Sequence, residues 1–192
     1  MCKLTTDFEP VNCTSLEIGG TRGLMYGISY DAWLEATKTV DPLTGALSSI
    51  TLTTTGAKAV KYSLTRGGNP TSVEAVVVNG GKSGFIHTVS PFLPTKEAAL
   101  RQEIAGLLNF GRMVWIVVLD SSIVTQVFGN DVGLSVTGFT EVNNDQGKGG
   151  GFDVVFSTPA DVTSENLPPV EFKSGDRATT LLALEALTTV VV

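Results

Sequence analysis

Alternation with a period of two dominates this chain, and it runs longest in "SSITLTTTGAKAVKYSLTR", residues 48–66. Ile50 and Leu52 face one way, and Ser49, Thr51 and Thr53 the other. Beyond the turn signal at Gly56, Val60, Tyr62 and Leu64 alternate with Lys61, Ser63 and Thr65. Side chains of a β-strand point to opposite faces in turn, so each half reads as a strand with one buried and one wetted face. Two such strands on either side of a glycine predict a hairpin over 47–66. Strands commonly run only ~5 or 6 residues, so a hairpin of this length is expected to project beyond its own core.

The rest of the chain continues in the same vein. "SVEAVVVNGGKSGFIHTVS" places an Asn79-Gly80 turn between two strands. In "PTKEAALRQEIAGLLNFG" the period changes: Leu100, Ile104, Leu107 and Leu108 share one face of a helix expected over 95–110. "RMVWIVVLD" is apolar on both faces, as a strand at the centre of a core must be. "SIVTQVFGN", "VGLSVTGFTEV" and "FDVVFSTP" follow as further strands.

The glycine-rich stretch "NNDQGKGGGFDVVF", 143–156, lies between two of these strands. A phosphate-binding loop needs a hydroxyl residue after its lysine, but Lys148 is followed by Gly149. A dinucleotide fingerprint needs a helix after the glycines, where this chain alternates like a strand. The stretch therefore reads as a hairpin connection. The tail, "SGDRATTLLALEALTTVVV", stays open between a helix (Leu181, Leu184, Leu187) and a strand (Thr188 to Val192). Its apolar end is a sticky edge, to be covered either by its own core or by a neighbouring subunit. The whole reads as one β-rich domain over 1–192: an N-terminal arm (1–22), the hairpin, the helix and a C-terminal tail (174–192).

Charged residues make up 17% of the chain, below the roughly 25% of an ordinary soluble domain. With a mean hydropathy of +0.22, such a surface does little to keep copies apart, and it leans toward permanent assembly. The net charge of −6 and the lack of a Lys/Arg cluster argue against a grip on nucleic acid. No stretch approaches the ~20 apolar residues that span a bilayer, so no membrane span is expected. "MCKLTTDFEP" lacks the apolar segment of a signal peptide, and the expectation is synthesis and retention in a cytoplasm. Cys2 and Cys13 have no metal-ligand spacing and read as free thiols or as one bridge pinning the arm.

Nothing marks catalysis, a cofactor or a metal site. His87 is the single histidine, and a lone histidine on a strand is more often packed than catalytic. There is no Gly-x-Ser-x-Gly elbow. Asp120, Asp131 and Asp153 sit at turns or strand ends, where aspartate bonds to nearby amides. A β-rich enzyme or ligand-binding domain would need a deep pocket holding His87 beside a carboxylate.

The order of parts resembles the tail-tube fold of tailed bacteriophages, which inner tubes of contractile injection systems share. The closing pattern, "VFGNDVGLSVTGFTEVNNDQGKGGGFDVVFSTPADVTSENLPPVEF", carries most of the resemblance, which extends over nearly the whole chain. It implies a β-sandwich or small barrel of antiparallel strands, with one flanking helix and a long protruding hairpin. It also implies a structural virion protein, made in the bacterial host, that is not an enzyme. Its copies would form rings, usually six-fold, stacked into a tube with other tail proteins, through which DNA passes without sequence-specific binding. The hairpin would line the lumen, presenting Ser49, Thr51, Thr53, Lys61, Ser63 and Thr65, with Lys61 a departure from a lumen that repels DNA. Gly149, Gly150, Val190, Val191 and Val192 would be subunit contacts. A tail ring or terminator, a capsid decoration protein and an injection-system inner tube are the alternatives.

Overall fold

A computed structural model describes residues 21–63, 71–78, 82–93, 102, 105–106, 111–119, 125–145, 149–159 and 164–191. Its strands are β1 (Thr21–Ser29), β2 (Thr37–Val40), β3 (Leu47–Thr51), β4 (Val60–Ser63), β5 (Thr71–Val78) and β6 (Lys82–Val89). They continue with β7 (Phe92–Leu93), β8 (Arg112–Leu119), β9 (Thr125–Phe128), β10 (Leu134–Asp145), β11 (Gly149–Ser157) and β12 (Val170–Phe172). Two helices are described, α1 (Tyr30–Glu35) and α2 (Arg177–Ala186). The fold is mainly β, as expected, with α2 as the flanking helix. The helix expected over 95–110 falls almost wholly outside the described residues, as does most of the N-terminal arm.

The twelve strands form one branched sheet centred on β8. One edge of β8 pairs with β1 from Met113 to Leu119. Its other edge pairs with β9 at Trp115–Val118 and with β10 at Arg112 and Met113. From β9 the sheet continues through β12 and β3 to β2; from β10 it continues through β11 and β6 to β5. All pairings are antiparallel except β12 with β3, which touch in parallel at Phe172 and Leu47.

This branching explains why β8 is apolar on both faces. Val114, Ile116 and Val118 belong to one core, with Tyr26, Ile28, Trp33, Leu47, Val127, Phe172 and Leu184. Met113, Trp115 and Val117 belong to a second, with Met25, Phe128, Leu134, Phe152, Val154 and Phe156. The pair β1–β8 is thus a partition with a core on each side, and the alternation of Met25 and Tyr26 serves the same division. Burying an apolar side chain of this size stabilises by about 1.5–3 kcal/mol, so both faces of the partition contribute.

The hairpin over 47–66 is a correction. β3 pairs with β2, in the register Thr37↔Thr51, Lys38↔Ile50 and Thr39↔Ser49. β4 pairs with β1, in the register Leu24↔Ser63 to Gly27↔Val60. The faces are as expected, since Ile50 and Leu52 are buried while Ser49, Thr51 and Thr53 are exposed. The partners differ because the C-terminal segment lies against the connection. Gly56 donates its N–H to the Val191 carbonyl and Ala59 to that of Leu187, both at 2.8 Å; Val191 donates back to Ala57 at 3.1 Å. Those bonds take backbone groups that a hairpin would have paired with each other. The long hairpin of the molecule is β10–β11 instead, and the glycine-rich stretch is its connection.

The tail resolves as a helix that packs on its own chain. The Asp176 carboxylate caps α2 by accepting the Thr179 N–H at 2.8 Å. Thr180, Leu184 and Leu187 recur at helical spacing and are buried.

Candidate functional site

β5, β6, β11 and β10 form a four-stranded wing with two open edges. β10 meets β8 only at Leu134 and Ser135, and beyond Ser135 no described strand pairs with that edge of β10. At the far side β5 pairs only with β6. Ser72 to Ala75 are exposed in succession, so β5 meets solvent on both faces.

Registers align one hydroxyl from every strand of this wing. Ser72 stands opposite Thr88, Thr88 opposite Ser157, and Ser157 opposite Ser135. Directly paired residues share a face, so the four form a row across the sheet. Thr88 Oγ1 and Ser157 Oγ lie 3.2 Å apart, within hydrogen-bond reach. Thr140 and Asp153, also opposed, lie on the same face, as do Glu74 and Gly138 by the same parity. The same parity also brings Val76, Ile86 and Val155 to this face, so the outer face of the wing mixes short hydroxyls and acidic residues with apolar positions.

One glycine of the rich stretch has a packing reason. A Cβ on Gly151 would lie 2.3 Å from the Leu93 carbonyl oxygen and 2.8 Å from Phe92 Cζ. β7 can approach β11 this closely only because that position has no side chain.

At the root of the wing, the turn 129–133 joins β9 to β10. Gly129 adopts φ +77°, and its N–H donates to His87 Nδ1 at 3.2 Å. The Glu165 carboxylate accepts the N–H groups of Asp131 at 2.7 Å and Val132 at 3.2 Å. Asp131 returns the contact by accepting the Asn166 N–H at 3.0 Å. Trp33 Nε1 donates to the Asn130 carbonyl at 3.0 Å, and the Tyr30 hydroxyl donates to that of Asp131. Glu165 and His87 are both fully buried. Burial raises the Glu165 carboxyl to about 6 against the pull of the two amides. Burial lowers His87 to about 4, although the Leu167 backbone and Asp131 pull it upward. With Nδ1 accepting, Nε2 carries the proton, and it makes no hydrogen bond of normal geometry. The histidine and a carboxylate do converge, but on a backbone turn that both brace rather than on a pocket.

An open groove of about 550 Å³ lies beside this turn, and Leu34, Val40, Leu47, Leu167, Lys38 and Asp131 are among its lining residues. Neither His87 nor Glu165 lines it. Lys38 Nζ donates to the Trp33 carbonyl at 2.6 Å and lies 4.6 Å from the Trp33 ring centroid. Burial lowers its pKa.

The residues singled out in sequence are only partly brought together. Ser49, Thr51 and Thr53 share an exposed patch with Thr37 and Thr39 of β2, where Ser49 Oγ donates to Thr39 Oγ1 at 2.9 Å. Lys61 stands on β4, away from that patch, and its ammonium is ion-paired with the Glu185 carboxylate of α2. Glu185 also accepts the Tyr26 hydroxyl at 2.9 Å, and these contacts, Lys61 first, lower its pKa. Ser63 lies on β4 opposite Leu24, while Thr65 is outside the described residues. Gly149 faces Asp145 across the β10–β11 connection, with Gly150 next along β11. Val190 is 47% exposed, Val191 packs on its own core, and Val192 lies outside the described residues. The hydroxyl row was missed in sequence. Its signal is a Ser or Thr at matching parity in each of four strands, which needs the register to become visible.

Among the described residues, no three His, Cys, Asp or Glu are placed to hold a metal ion, and no helix is long and apolar enough to cross a membrane. Compared with known proteins, the chain matches no family model, no curated protein and no solved structure.

Proposed function

We propose that this chain is a structural virion protein of the tail-tube type, non-enzymatic, whose copies assemble into rings that stack as a conduit for DNA. The observation that carries the reading is the pair of open edges on the β5–β6–β11–β10 wing. An unpaired edge is a template for another strand. The edges belong to different strands, so β10 of one copy would meet β5 of the next. Such a head-to-tail contact closes into a ring or continues as a filament.

In this arrangement the lumen surface is the wing's outer face, with the row Ser72, Thr88, Ser157 and Ser135. It takes the place of the set expected on β3 and β4. Short hydroxyls, Glu74 and Asp153, with Ile86 and Val155 between them, suit a wall that nucleic acid passes without adhering, because adhesion rests on neutralising phosphates with cations. Lys61, already paired with Glu185, then has no part in the lumen. A capsid decoration protein or tail ring would use the same open edges, but it has no need of a hydroxyl face. Electron microscopy of concentrated protein is the test. Rings or tubes are expected, and Val73→Lys with Ala75→Lys, which place charge on the β5 edge strand, should abolish them while the subunit stays folded. Assembly unchanged by these substitutions would sink the edge-pairing reading.

A further inference from the structure

The inner face of the wing carries an apolar side chain at each open edge. Phe139 of β10 stands opposite Val154 of β11, so it lies on the face that holds the second core. Its ring stacks on that of fully buried Phe152, with centroids 5.3 Å apart and planes inclined by 30°, yet Phe139 itself is 41% exposed. At the far side of the wing, Val73 of β5 stands opposite His87, which is fully buried on the same face against Phe128. Val73 is 42% exposed, and Ala75, with the same parity, is exposed too. One rim of the second core thus ends at Phe139, and the other at Val73 and Ala75.

Backbone direction fits these two rims to each other. The pairs β5–β6, β6–β11 and β11–β10 are all antiparallel, so β10 runs opposite to β5. Copies related by rotation about an axis roughly along the strands therefore bring β5 beside β10 as one more antiparallel partner. For the apolar faces to meet, Phe139 must oppose Val73, Ala75 or Val77, because a slip by one residue turns every side chain to the other face. Opposite Val73, the antiparallel count carries the end of β5 to Leu134 and Ser135, where β8 already pairs with β10. Opposite Val77, Phe139 lies two diagonal steps from Val73, beyond the reach of cross-strand neighbours. Opposite Ala75, the count ends β5 at Val136, clear of β8, and the ring lies over the smallest side chain of the strand with Val73 at its diagonal.

We infer that Phe139 of one copy packs over Ala75 and beside Val73 of the next, so that the second cores of adjacent copies join through the wing edge. The inference rests on the edge-pairing reading above and adds to it the anchor of the contact and its register. The same register sets Thr140 opposite Glu74 and Glu141 opposite Val73, so no two like charges face each other. An aromatic ring that becomes buried in a contact is the kind of side chain that carries much of its energy.

Engineered disulfides read the register. In a chain carrying Cys2→Ser and Cys13→Ser, Thr140→Cys with Glu74→Cys places two thiols directly opposite across the contact, their Cβ atoms about 5 Å apart. Thr140→Cys with Ser72→Cys places them on a diagonal, at roughly 7–8 Å. A disulfide needs about 3.5–4.5 Å between Cβ atoms, so oxidation of concentrated protein should give a ladder of covalent oligomers from the first pair, about tenfold faster or more than from the second. Phe139→Glu should raise the concentration needed for assembly by about tenfold or more, the loss of roughly one anchor residue. Adding Ala75→Lys to the same chain should restore much of it, because each new carboxylate then faces an ammonium. Circular dichroism confirms that each variant is folded. A wild-type chain that forms no rings or tubes overturns the edge-pairing reading, and this inference with it. Rings that form but crosslink faster through the Ser72→Cys pair, or that tolerate Phe139→Glu, overturn this inference alone and leave edge pairing standing.

Discussion

Glu165 and Asp131 hold each other's segments: the Glu165 carboxylate accepts the Asp131 N–H, and the Asp131 carboxylate accepts the N–H of Asn166. This reciprocal clamp fixes the turn from which β10 enters the sheet beside β8 and so sets where the wing begins. Glu165→Ala should be costly, because the Asp131 and Val132 amides lose their acceptor inside the protein. Each buried donor left unpaired costs about 1–3 kcal/mol. Glu165→Gln keeps one acceptor oxygen and should cost clearly less. Urea denaturation of the two variants measures the difference, and equal losses would count against the clamp.

The pH dependence follows from two buried groups shifted in opposite directions. Glu165 has a folded pKa of about 6, raised from 4.5, so its contribution to stability is full below about 4.5 and is lost as pH rises through 6. His87 has a folded pKa of about 4, lowered from 6.5, so its contribution is full above about 6.5 and is lost as pH falls toward 4. Between these limits the two slopes oppose each other, and this pair gives the wild-type protein little net pH dependence. Glu165→Gln should unmask the histidine, with stability falling on acidification by at most about 1.4 kcal/mol per pH unit. His87→Asn keeps an acceptor for the Gly129 amide and should reveal the opposite slope. Urea midpoints from pH 4 to 7 check both signs.

The contact between Gly151 and Leu93 predicts an unequal response within β10–β11. Gly151→Ala places a methyl 2.3 Å from a backbone oxygen, which cannot rotate away, so β7 must move. Forced overpacking of this kind costs about 1–3 kcal/mol. Gly138→Ala meets only the Val155 side chain, at 3.3 Å, and should be milder. Thermal unfolding of the two variants should rank them in that order, and the reverse ranking would contradict the close approach of β7.

The placement of residues 187–191 against 56–59 predicts what truncation does. A chain ending at Ala186 leaves the Gly56 and Ala59 amides without their carbonyl partners and removes Leu187 from the first core. Hydrogen exchange at Gly56 and Ala59 should then accelerate, with Val114 in β8 much less affected. Unchanged protection at both amides would restore the case for a β3–β4 hairpin.

These residues also show where the sequence was legible. Period two revealed which faces of β3 are buried, because the face of each side chain is a local property of the strand. It could not reveal that β3 and β4 pair apart, since that choice rests on Leu187 and Val191 arriving from the far end of the chain. Doubly apolar β8 was readable as central, because only a strand covered on both sides tolerates that composition. The tail was ambiguous because its threonines and valines suit either state; the Asp176 cap and the burial of Leu184 decide it. His87 and Glu165 carry no local sign of each other, and only the fold brings them to one turn. The hydroxyl row needed the register of four strands before its members could be connected.

The central claim is assembly through the open edges of β10 and β5, and imaging concentrated protein by electron microscopy tests it most directly. The account predicts rings or stacked tubes for the wild-type chain and none for the variant carrying Val73→Lys and Ala75→Lys. Wild-type protein that remains a monomer or a simple dimer at high concentration would contradict it.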